Sequence, residues 1–593
     1  RQRQMCIRDR ERKAEDIIKI TKELVNKTGY DEYSLLSLSS NDYANINEVI
    51  KELAVDFNDK KISVSLPSQR IDGFNLELAN LVQSVRKSTM TLAPEAGSQR
   101  LRDVIKKNIT EEQIMNAVLT LYENGWSRVK FYFICGLPTE TLQDMDEMAE
   151  LFRKIRYRSR LIKKEKGLKH SLDLTCTLSI FVPKPFTPFQ WYPQMDLEKV
   201  TEHIHYLMEQ VKHIKGVKVN YHEKFVSILE AILTRGDDSL CKYVEALYKK
   251  GCYLDAWGEY FNKEIWFETA KELGIDLNAL AQKQYELEKP LPWDFIDIGI
   301  NKEWFIEEYQ KAFAVDENSE HIVPTCQHHC VGCGVCQNLG VKKVMDSPFK
   351  ASEKAQEVLK TEPVDPSLAP KEVKETFRYR IKITKTGTLK YFSHLDWQNT
   401  FFKAISRSDL KIAFSYGYNP TMKISMGVAL PLFCESLTEL VDIWCTENHT
   451  SDFIKTELTR VLPKESEILA VEEIDKSASS IDQTACWAEY KVKIFNPALY
   501  DFEKLVYNTE KVLSSDEILV EKKNKKGLVK ETDIKKSIGS HRFEGDCLYI
   551  VLKTGQGSEI PPLRADVLMN IIAPEVVFDI TRVKFLTESL HEL

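Results

Sequence analysis

The chain has 593 residues, which is more than one hydrophobic core usually holds and suggests roughly three or four domains. Its hydrophobic content of 43% and charged content of 29% are typical of a globular protein, and the net charge of -7 argues against a generally basic nucleic-acid-binding protein. A local basic patch is compatible with that charge. No apolar run approaches the length that spans a membrane, so we expect no membrane partner.

The cysteines indicate a reducing compartment. Thirteen cysteines in a chain of this length do not form the dense pattern of a disulfide-stabilised secreted domain. Several stand alone in apolar surroundings, such as Cys135 and Cys176, where a buried free thiol is the expected state. The basic start is not followed by the apolar core of a signal peptide. We therefore predict a cytoplasmic protein.

The first ten residues, RQRQMCIRDR, have no hydrophobic period. The run MCIRDR resembles a translated sequencing adapter, so we interpret residues 1–10 as a non-native segment and leave them out of the fold prediction. An amphipathic helix is predicted directly afterwards, without a strand before it.

Five segments then alternate apolar and polar residues, and helical patterns separate them. They lie at residues 34–39, 62–66, 89–92, 129–134 and 171–180. Helical spacers predict βα units and a parallel sheet, while the polar face of each strand favours a barrel with a polar lumen. An antiparallel sheet with one wet face is the alternative. Thr110 and Gln113 predict a capping box at the start of one helix. Residues 11–214 thus predict an α/β fold, a partial (β/α)6 barrel that lacks its first strand.

Three motifs in this region carry a family resemblance. They are LAPEAGSQRLRDVIKKN from Leu92, KFYFICGLPTET from Lys130 and FVPKPFTPFQW from Phe181. In this order they resemble the core of radical S-adenosylmethionine (SAM) enzymes, of the long uncharacterised kind with an upstream cobalamin-binding-like domain and a downstream radical-SAM-linked domain. The resemblance extends from Arg12 to the C-terminus.

The resemblance implies a C-x3-C-x2-C loop after the first barrel strand, which holds a [4Fe-4S] cluster in that family. This motif is absent before the predicted barrel, where Cys6 is the lone cysteine. We therefore expect an N-terminally truncated chain that is inactive as given. The resemblance also implies cobalamin as a cofactor of the full-length protein.

The resemblance further implies that SAM binds where barrel strands end. The cofactor needs a carboxylate for its amino group, hydroxyl groups or arginine for its other polar groups, and an apolar shelf for its base. The candidates are Ser39, Ser65, Arg70, Glu95, Ser98, Lys130, Tyr132, Gly136 and Pro138. Alternatives stay open, since Glu95 could be an N-cap of the next helix, and Gly136 and Pro138 could form an ordinary turn. No catalytic residue is assigned.

Residues 215–346 predict a helical extension that ends in a four-cysteine motif, CQHHCVGCGVC. Its cysteines are Cys326, Cys330, Cys333 and Cys336. Their close spacing favours an auxiliary [4Fe-4S] cluster over zinc, although zinc stays open. The first three also spell C-x3-C-x2-C, but their position after the whole barrel argues against a catalytic cluster.

Residues 347–376 are rich in proline, lysine and glutamate and predict a linker. Residues 377–593 resemble the radical-SAM-linked domain, including Ser393-His394-Leu395-Asp396 and Gly417-Tyr418-Asn419-Pro420, and we expect an α+β, ferredoxin-like fold. His394 and Asp396 could form a helix cap rather than a catalytic pair. Basic and aromatic side chains are mixed here in a way that would suit RNA: Lys385, Lys390, Arg407, Tyr416, Tyr418 and Lys423. A solvated face with core aromatics is the alternative.

The functional prediction is a radical SAM enzyme that uses a [4Fe-4S] cluster to generate a 5'-deoxyadenosyl radical. It needs SAM and an electron donor such as flavodoxin or ferredoxin. The substrate is unknown, with RNA modification or methyl transfer as the expected outcomes. The alternative is a non-catalytic RNA-binding protein with a structural iron-sulfur or zinc site.

Overall fold

The computed structural model describes most of the chain. The described residues are 10–37, 40, 43–66, 71, 76–82, 85, 89–316, 319–323, 326, 330–342, 344–357, 375–415, 420–523, 529–555 and 560–593. They form two compact units. The first contains Arg1–Lys19, Ser34–Asp56 and Ser63–Asp365, and the second contains Ile20–Tyr33, Phe57–Ile62 and Pro366–Leu593.

Helices and strands alternate through the first 221 residues, as the sequence pattern predicts. The elements are α1 (Ala14–Thr28), β1 (Glu32–Ser34), α2 (Ile46–Phe57), β2 (Ser63–Ser65), α3 (Leu76–Val82), β3 (Met90–Glu95), α4 (Gln99–Val104), α5 (Glu111–Glu123), β4 (Arg128–Cys135), α6 (Leu142–Lys166), β5 (Asp173–Ile180), α7 (Leu197–Val211) and β6 (Val217–Tyr221). The predicted capping box of Thr110 and Gln113 is confirmed at the start of α5.

Four of these strands form one parallel sheet in the order β3-β4-β5-β6. Its residues alternate as predicted, since Val129, Phe131 and Phe133 of β4 are buried, whereas Lys130 and Tyr132 on the other face are half-buried. The buried face packs against the helices between the strands and forms the main core of this unit. Among the described residues β1 and β2 make a separate two-stranded sheet, so the closed barrel stays a prediction.

The sixth strand was not predicted, because the helical extension was expected to begin at residue 215. Val217–Tyr221 instead forms β6 and pairs in parallel with β5. Its sequence, VKVNY, is short and only half apolar, so it carries little pattern by itself. Pairing with β5 supplies the backbone hydrogen bonds that the local sequence does not indicate.

After β6 the first unit becomes helical. The helices are α8 (Lys224–Arg235), α9 (Cys241–Lys249), α10 (Lys263–Glu272), α11 (Leu277–Ala281), α12 (Lys302–Phe313), α13 (Val335–Asn338) and α14 (Glu353–Glu357). None of the described helices has the length and apolar character needed to cross a membrane.

Part of the predicted linker is held against the first unit. Asn45 donates through Nδ2 to the Ser347 carbonyl at 2.8 Å and accepts from the Phe349 amide at 2.9 Å. Glu48 accepts a hydrogen bond from the Ala351 amide at 3.0 Å. Residues 347–357 are therefore anchored by polar side chains of α2 and its preceding turn, a contact that the local composition cannot indicate. Residues 358–374 lie outside the described part of the chain.

The second unit contains a mixed sheet of eight strands. Its elements are β7 (Phe377–Lys385), α15 (His394–Arg407), β8 (Ile424–Met426), β9 (Cys434–Cys445), α16 (Ser451–Val461), β10 (Ile468–Ile474), α17 (Ile481–Thr484), β11 (Trp487–Ile494), α18 (Phe502–Leu513), β12 (Leu519–Lys523), β13 (Val529–Asp533), β14 (Ile538–Glu544), β15 (Cys547–Lys553), α19 (Ala565–Ile572) and β16 (Phe578–Leu586).

The strand order of this sheet is β10-β7-β9-β16-β11-β15-β14, with β8 paired to β9. Each half runs strand, helix, two strands, helix, strand, and the halves meet where β9 and β16 pair in parallel. At this seam the fully buried Arg582 donates to Glu439 at 2.8 Å and to the Tyr490 hydroxyl at 3.3 Å. A buried, fully bonded guanidinium thus links the two halves.

Candidate functional site at the carboxyl edge of the parallel sheet

Two of the predicted SAM-binding residues lie on the polar face of β4. Lys130 Nζ donates to the Tyr132 hydroxyl at 2.8 Å, and both side chains are half-buried. In the register of the sheet Lys130 is beside Thr91 of β3 and Thr175 of β5, and Tyr132 is beside Thr177. The face therefore presents one cation, one phenol and several hydroxyl groups, which suits a ligand with many polar groups.

Glu95 is the last residue of β3 and ends at the same edge. Its carboxylate accepts from Lys107 Nζ at 3.0 Å, and the Glu95 backbone has a positive φ of 69°. A left-handed backbone is unusual for a residue with a side chain and indicates a conformation fixed by its surroundings. The alternative N-cap role of Glu95 is wrong, because Ser98 caps α4.

Ser98 is buried, and its hydroxyl is used within the protein. It accepts from the Leu101 amide at 3.2 Å and donates to Asp144 Oδ1 at 2.6 Å. The same carboxylate also pairs with Arg100 at 2.6 Å. These bonds join α4 to the start of α6, so Ser98 stabilises the edge of the sheet.

The turn after β4 contains Gly136 and Pro138, and both are buried. Gly136 has a φ of 82°, a conformation that favours glycine. Its amide donates to Glu140 Oε1 at 2.9 Å, and the Leu137 amide donates to Glu140 Oε2 at 3.3 Å. One buried carboxylate therefore holds this turn in shape.

His203 of α7 completes that arrangement. Its Nδ1 lies 2.8 Å from Glu140 Oε1, and since a carboxylate only accepts, Nδ1 carries the proton. The Cys135 thiol donates to the same oxygen at 3.5 Å, and burial together with the Glu140 charge raises the pKa of Cys135 well above its usual value. Sequence analysis missed both Glu140 and His203. No signal in the sequence links them, because they are 63 positions apart.

Three candidate residues are not brought to this face. Ser65 lies in β2, in the separate two-stranded sheet, where its carbonyl accepts from the Leu35 amide at 3.2 Å. Ser39 and Arg70 lie outside the described residues.

The four-cysteine motif is a loop that leads into α13. Cys333 is buried, Cys326 is half-buried, and Cys330 and Cys336 are exposed. Gly332 and Gly334 have φ angles of 72° and 90°, so the backbone turns sharply between the cysteines. The loop packs on a wall of aromatic side chains that includes Trp191, Trp293 and Trp304.

Polar contacts hold this extension at the carboxyl edge of the sheet. Asn108, which follows α4, donates to the Val323 carbonyl at 2.8 Å, and Lys106 pairs with Glu308 at 2.6 Å. On the loop after β5, Gln190 accepts from Trp293 Nε1 at 2.8 Å. The four-cysteine loop thus belongs to the same end of the unit as the polar face of β4.

The described residues fit an iron-sulfur cluster in the extension better than one in the barrel. Between residues 10 and 152 Cys135 is the lone cysteine, and its thiol is buried and bonded to Glu140, so three thiolate ligands are lacking there. Beside the four-cysteine loop, Trp191 Nε1 is buried and has no hydrogen-bond partner. An unpaired N–H donor in an apolar wall suits an anionic cluster, whose sulfur atoms accept hydrogen bonds.

The four thiols are not preassembled around one ion. Among the described residues, the one group of three or more ligand atoms within 4.8 Å of one another is that of Cys135, Glu140 and His203. A single zinc ion would need its sulfur ligands about this close, at bonds of about 2.3 Å. The metal of the four-cysteine loop therefore stays a prediction.

In the second unit the Ser393-His394-Leu395-Asp396 motif opens α15. Ser393 is the N-cap, and its side chain and that of Asp396 form a capping box. Gly417, Tyr418 and Asn419 of the second motif, with Tyr416, lie outside the described residues. The cap explains the serine and the aspartate of this motif without catalysis.

Two family models match the chain. The radical SAM superfamily model matches residues 2–152, and the model of an uncharacterized protein conserved in bacteria (DUF2344) matches residues 378–562. Both matches agree with the resemblance that the sequence motifs carry.

Two curated relatives are similar to parts of the chain. An uncharacterized protein of Methanocaldococcus jannaschii is 31% identical over 265 residues, which are 43% of this chain and 55% of the relative. A tRNA-2-methylthio-N(6)-dimethylallyladenosine synthase of Desulforamulus reducens is 28% identical over 160 residues, 26% of this chain and 35% of the relative. The chain thus spans about half or less of the length of these relatives.

Among solved structures, the archaeal Methanocaldococcus infernus Elp3 with an N-terminal deletion matches with a TM-score of 0.25 and 13% identity. The match covers 40% of this chain and 60% of that chain. At this score the match carries no argument about fold or function.

Proposed function

We propose, from the premise that the chain belongs to the radical SAM enzyme family, that it modifies an RNA substrate with SAM as cofactor. The match of residues 2–152 to the radical SAM superfamily carries this proposal. A domain of this family implies a [4Fe-4S] cluster, SAM and an electron donor. When bound, the reduced cluster supplies the electron that cleaves SAM to a 5'-deoxyadenosyl radical.

The polar face of β4 is the proposed SAM site. Lys130 would pair with the carboxylate of the cofactor, because an ammonium ion donates to a carboxylate in a charge-assisted hydrogen bond. Tyr132 and the neighbouring Thr177 would donate to its ribose. Glu140 and His203 would act indirectly, by fixing the turn of Gly136 and Pro138 on which the base would rest.

The four-cysteine loop is the proposed site of an auxiliary cluster. The sharp glycine turns, the aromatic wall and the unpaired Trp191 N–H support an iron-sulfur cluster there. Cys326, Cys330, Cys333 and Cys336 would hold it. The contacts of Asn108 and Lys106 with the extension support a position at the same end of the unit as the proposed SAM site.

RNA as substrate is supported by the relative whose name states that it acts on tRNA. Lys390, Arg407 and Lys423 of the second unit would contact its phosphates. A ferredoxin-like arrangement, in which strand, helix, two strands, helix and strand follow one another, agrees with the element order of each half of that unit. Cobalamin-dependent methyl transfer is a further proposal, which rests on the resemblance alone.

SAM binding by the purified chain tests the proposed site. We expect a Lys130→Met variant to bind SAM at least about tenfold more weakly than the wild type, since a charge-assisted hydrogen bond contributes about 1.5–3 kcal/mol. Isothermal titration calorimetry measures the dissociation constants. Lys163→Met, on the exposed side of α6, is the matched control and should bind as the wild type does.

Equal affinities of the Lys130→Met and Lys163→Met variants would refute the proposed site. If the wild type binds structured RNA but no SAM, the non-catalytic RNA-binding alternative replaces the enzyme proposal.

A further inference from the structure

Arg235 is the last residue of α8 and is almost completely buried, with 2% of its surface exposed. Its guanidinium lies 4.9 Å from the ring centre of Tyr285, whose hydroxyl donates to the Arg235 carbonyl at 2.7 Å. The other side of this aromatic cluster is Trp293, which contacts the Tyr285 ring edge to face at 5.7 Å. Arg235 is therefore fixed in place by aromatic packing.

The hydrogen-bonding capacity of this guanidinium is largely unused. Nη2 donates to the Lys283 carbonyl at 2.7 Å, whereas Nε and Nη1 are buried and have no partner. Among the described residues no carboxylate lies within 4.0 Å of it. The nearby cation Lys283, with Nζ 4.9 Å from the same Tyr285 ring, adds positive charge.

Other buried arginines of the chain are satisfied. Arg102 donates to the carbonyls of Ile109, Ala96 and Gly97 and to the side chain of Gln99. Arg582 and Arg378 each pair with a buried carboxylate, at 2.8 and 2.6 Å. The fold thus provides acceptors where a guanidinium has a structural role, and Arg235 lacks them.

A buried cation without a counter-charge opposes folding. Burial lowers the pKa of Arg235 to about 10, so it stays charged at neutral pH. Such a group is stabilised when an anion with several acceptor atoms occupies the space beside it, and guanidinium groups match phosphate and carboxylate oxygens in geometry.

We propose that Arg235 binds an oxyanion, the phosphate or carboxylate group of a ligand, through its unpaired N–H groups. The site is formed by the end of α8, the Lys283–Tyr285 segment and the aromatic pair of Tyr285 and Trp293. Through Trp293 and Gln190 it adjoins the loop that leaves β5. The site is separate from the proposed SAM face, and its existence does not depend on that proposal.

Thermal unfolding of the full chain with added anions tests this site. Inorganic phosphate and acetate, each at constant ionic strength against chloride, are the probes for the two oxyanion classes. We expect phosphate, acetate or both to raise the unfolding midpoint of the wild type in a saturable way, and the more effective probe identifies the class. Arg235→Met should show no such response, and Arg235→Lys should need a higher anion concentration.

The stability of the variants without anion separates binding from a structural role. Because the charge of Arg235 is uncompensated, Arg235→Met should unfold at or above the wild-type midpoint, whereas Arg102→Met, which removes a satisfied guanidinium, should unfold well below it. A loss of midpoint in Arg235→Met as large as in Arg102→Met overturns the proposal. Absence of any anion response in the wild type, or an undiminished response in Arg235→Met, also overturns it.

Discussion

The carboxylate of Glu140 is expected to contribute more to local stability than any exposed charge of the first unit. Its side chain is fully buried and accepts hydrogen bonds from the amides of Gly136 and Leu137 and from His203 Nδ1. Glu140→Ala leaves these three donors buried without an acceptor. Each unsatisfied donor costs about 1–3 kcal/mol, so the free energy of unfolding should fall by at least about 3 kcal/mol.

Urea unfolding of the full chain, followed by hydrogen exchange at the Gly136 and Leu137 amides, measures this effect where it arises. Glu140→Gln should fall between wild type and Glu140→Ala, because an amide oxygen accepts but its NH₂ group faces other donors. Glu245→Ala, which removes an exposed ion pair with Lys249 at 2.6 Å, is the control and should unfold as the wild type does.

A loss of less than about 1 kcal/mol in Glu140→Ala would refute this reasoning. It would mean that the turn is held by the packing of Gly136 against Met195 and Val200 rather than by the carboxylate.

The remaining predictions concern the anchored segment and the metal. For Asp346, burial raises the pKa but hydrogen bonds from the Ala14 amide, Asn45 and Tyr43 lower it further, so the net pKa is below its usual value. This contribution is present above the ordinary aspartate pKa of about 4 and is lost as the pH falls through the lower folded-state value. Asp346→Asn should therefore increase proteolysis of residues 344–357 at pH 7, and wild type should approach the variant in acid. After anaerobic reconstitution with iron and sulfide, the wild type should be brown and Cys333→Ala should lose this absorbance, while Cys176→Ala keeps it; a colourless wild type that binds zinc would contradict the iron-sulfur assignment. The reconstituted chain should form no 5'-deoxyadenosine from SAM, because the barrel lacks three thiolate ligands, and steady production would show that the four-cysteine loop holds the catalytic cluster.

Alternation along the strands was sufficient to predict most of the parallel sheet. Val129, Phe131 and Phe133 repeat every second residue because one face of β4 is buried, and this period survives in any context. The helices between the strands predict their parallel direction. Caps are equally local, and the capping boxes of α5 and α15 depend on residues only three positions apart.

Long-range contacts could not be read in this way. Glu140 and His203 meet because α7 packs beside the turn after β4, and Asn45 reaches Phe349 across 304 positions. The same holds for β6, whose five residues form a strand only through pairing with β5. In each case the partner is chosen by the packing of whole elements, so the local sequence carries no trace of it.

The sequence by itself determined the family resemblance, the alternating strands and the four closely spaced cysteines, because these depend on residue type and short spacing. The tertiary structure alone decided which polar groups are buried and whether they have partners. Arg235 looks like any charged residue in the sequence, and only the packing of Tyr285 and Lys283 around it leaves its guanidinium without acceptors. Burial of a charge is a property of the surrounding fold, and it is there that a ligand is required.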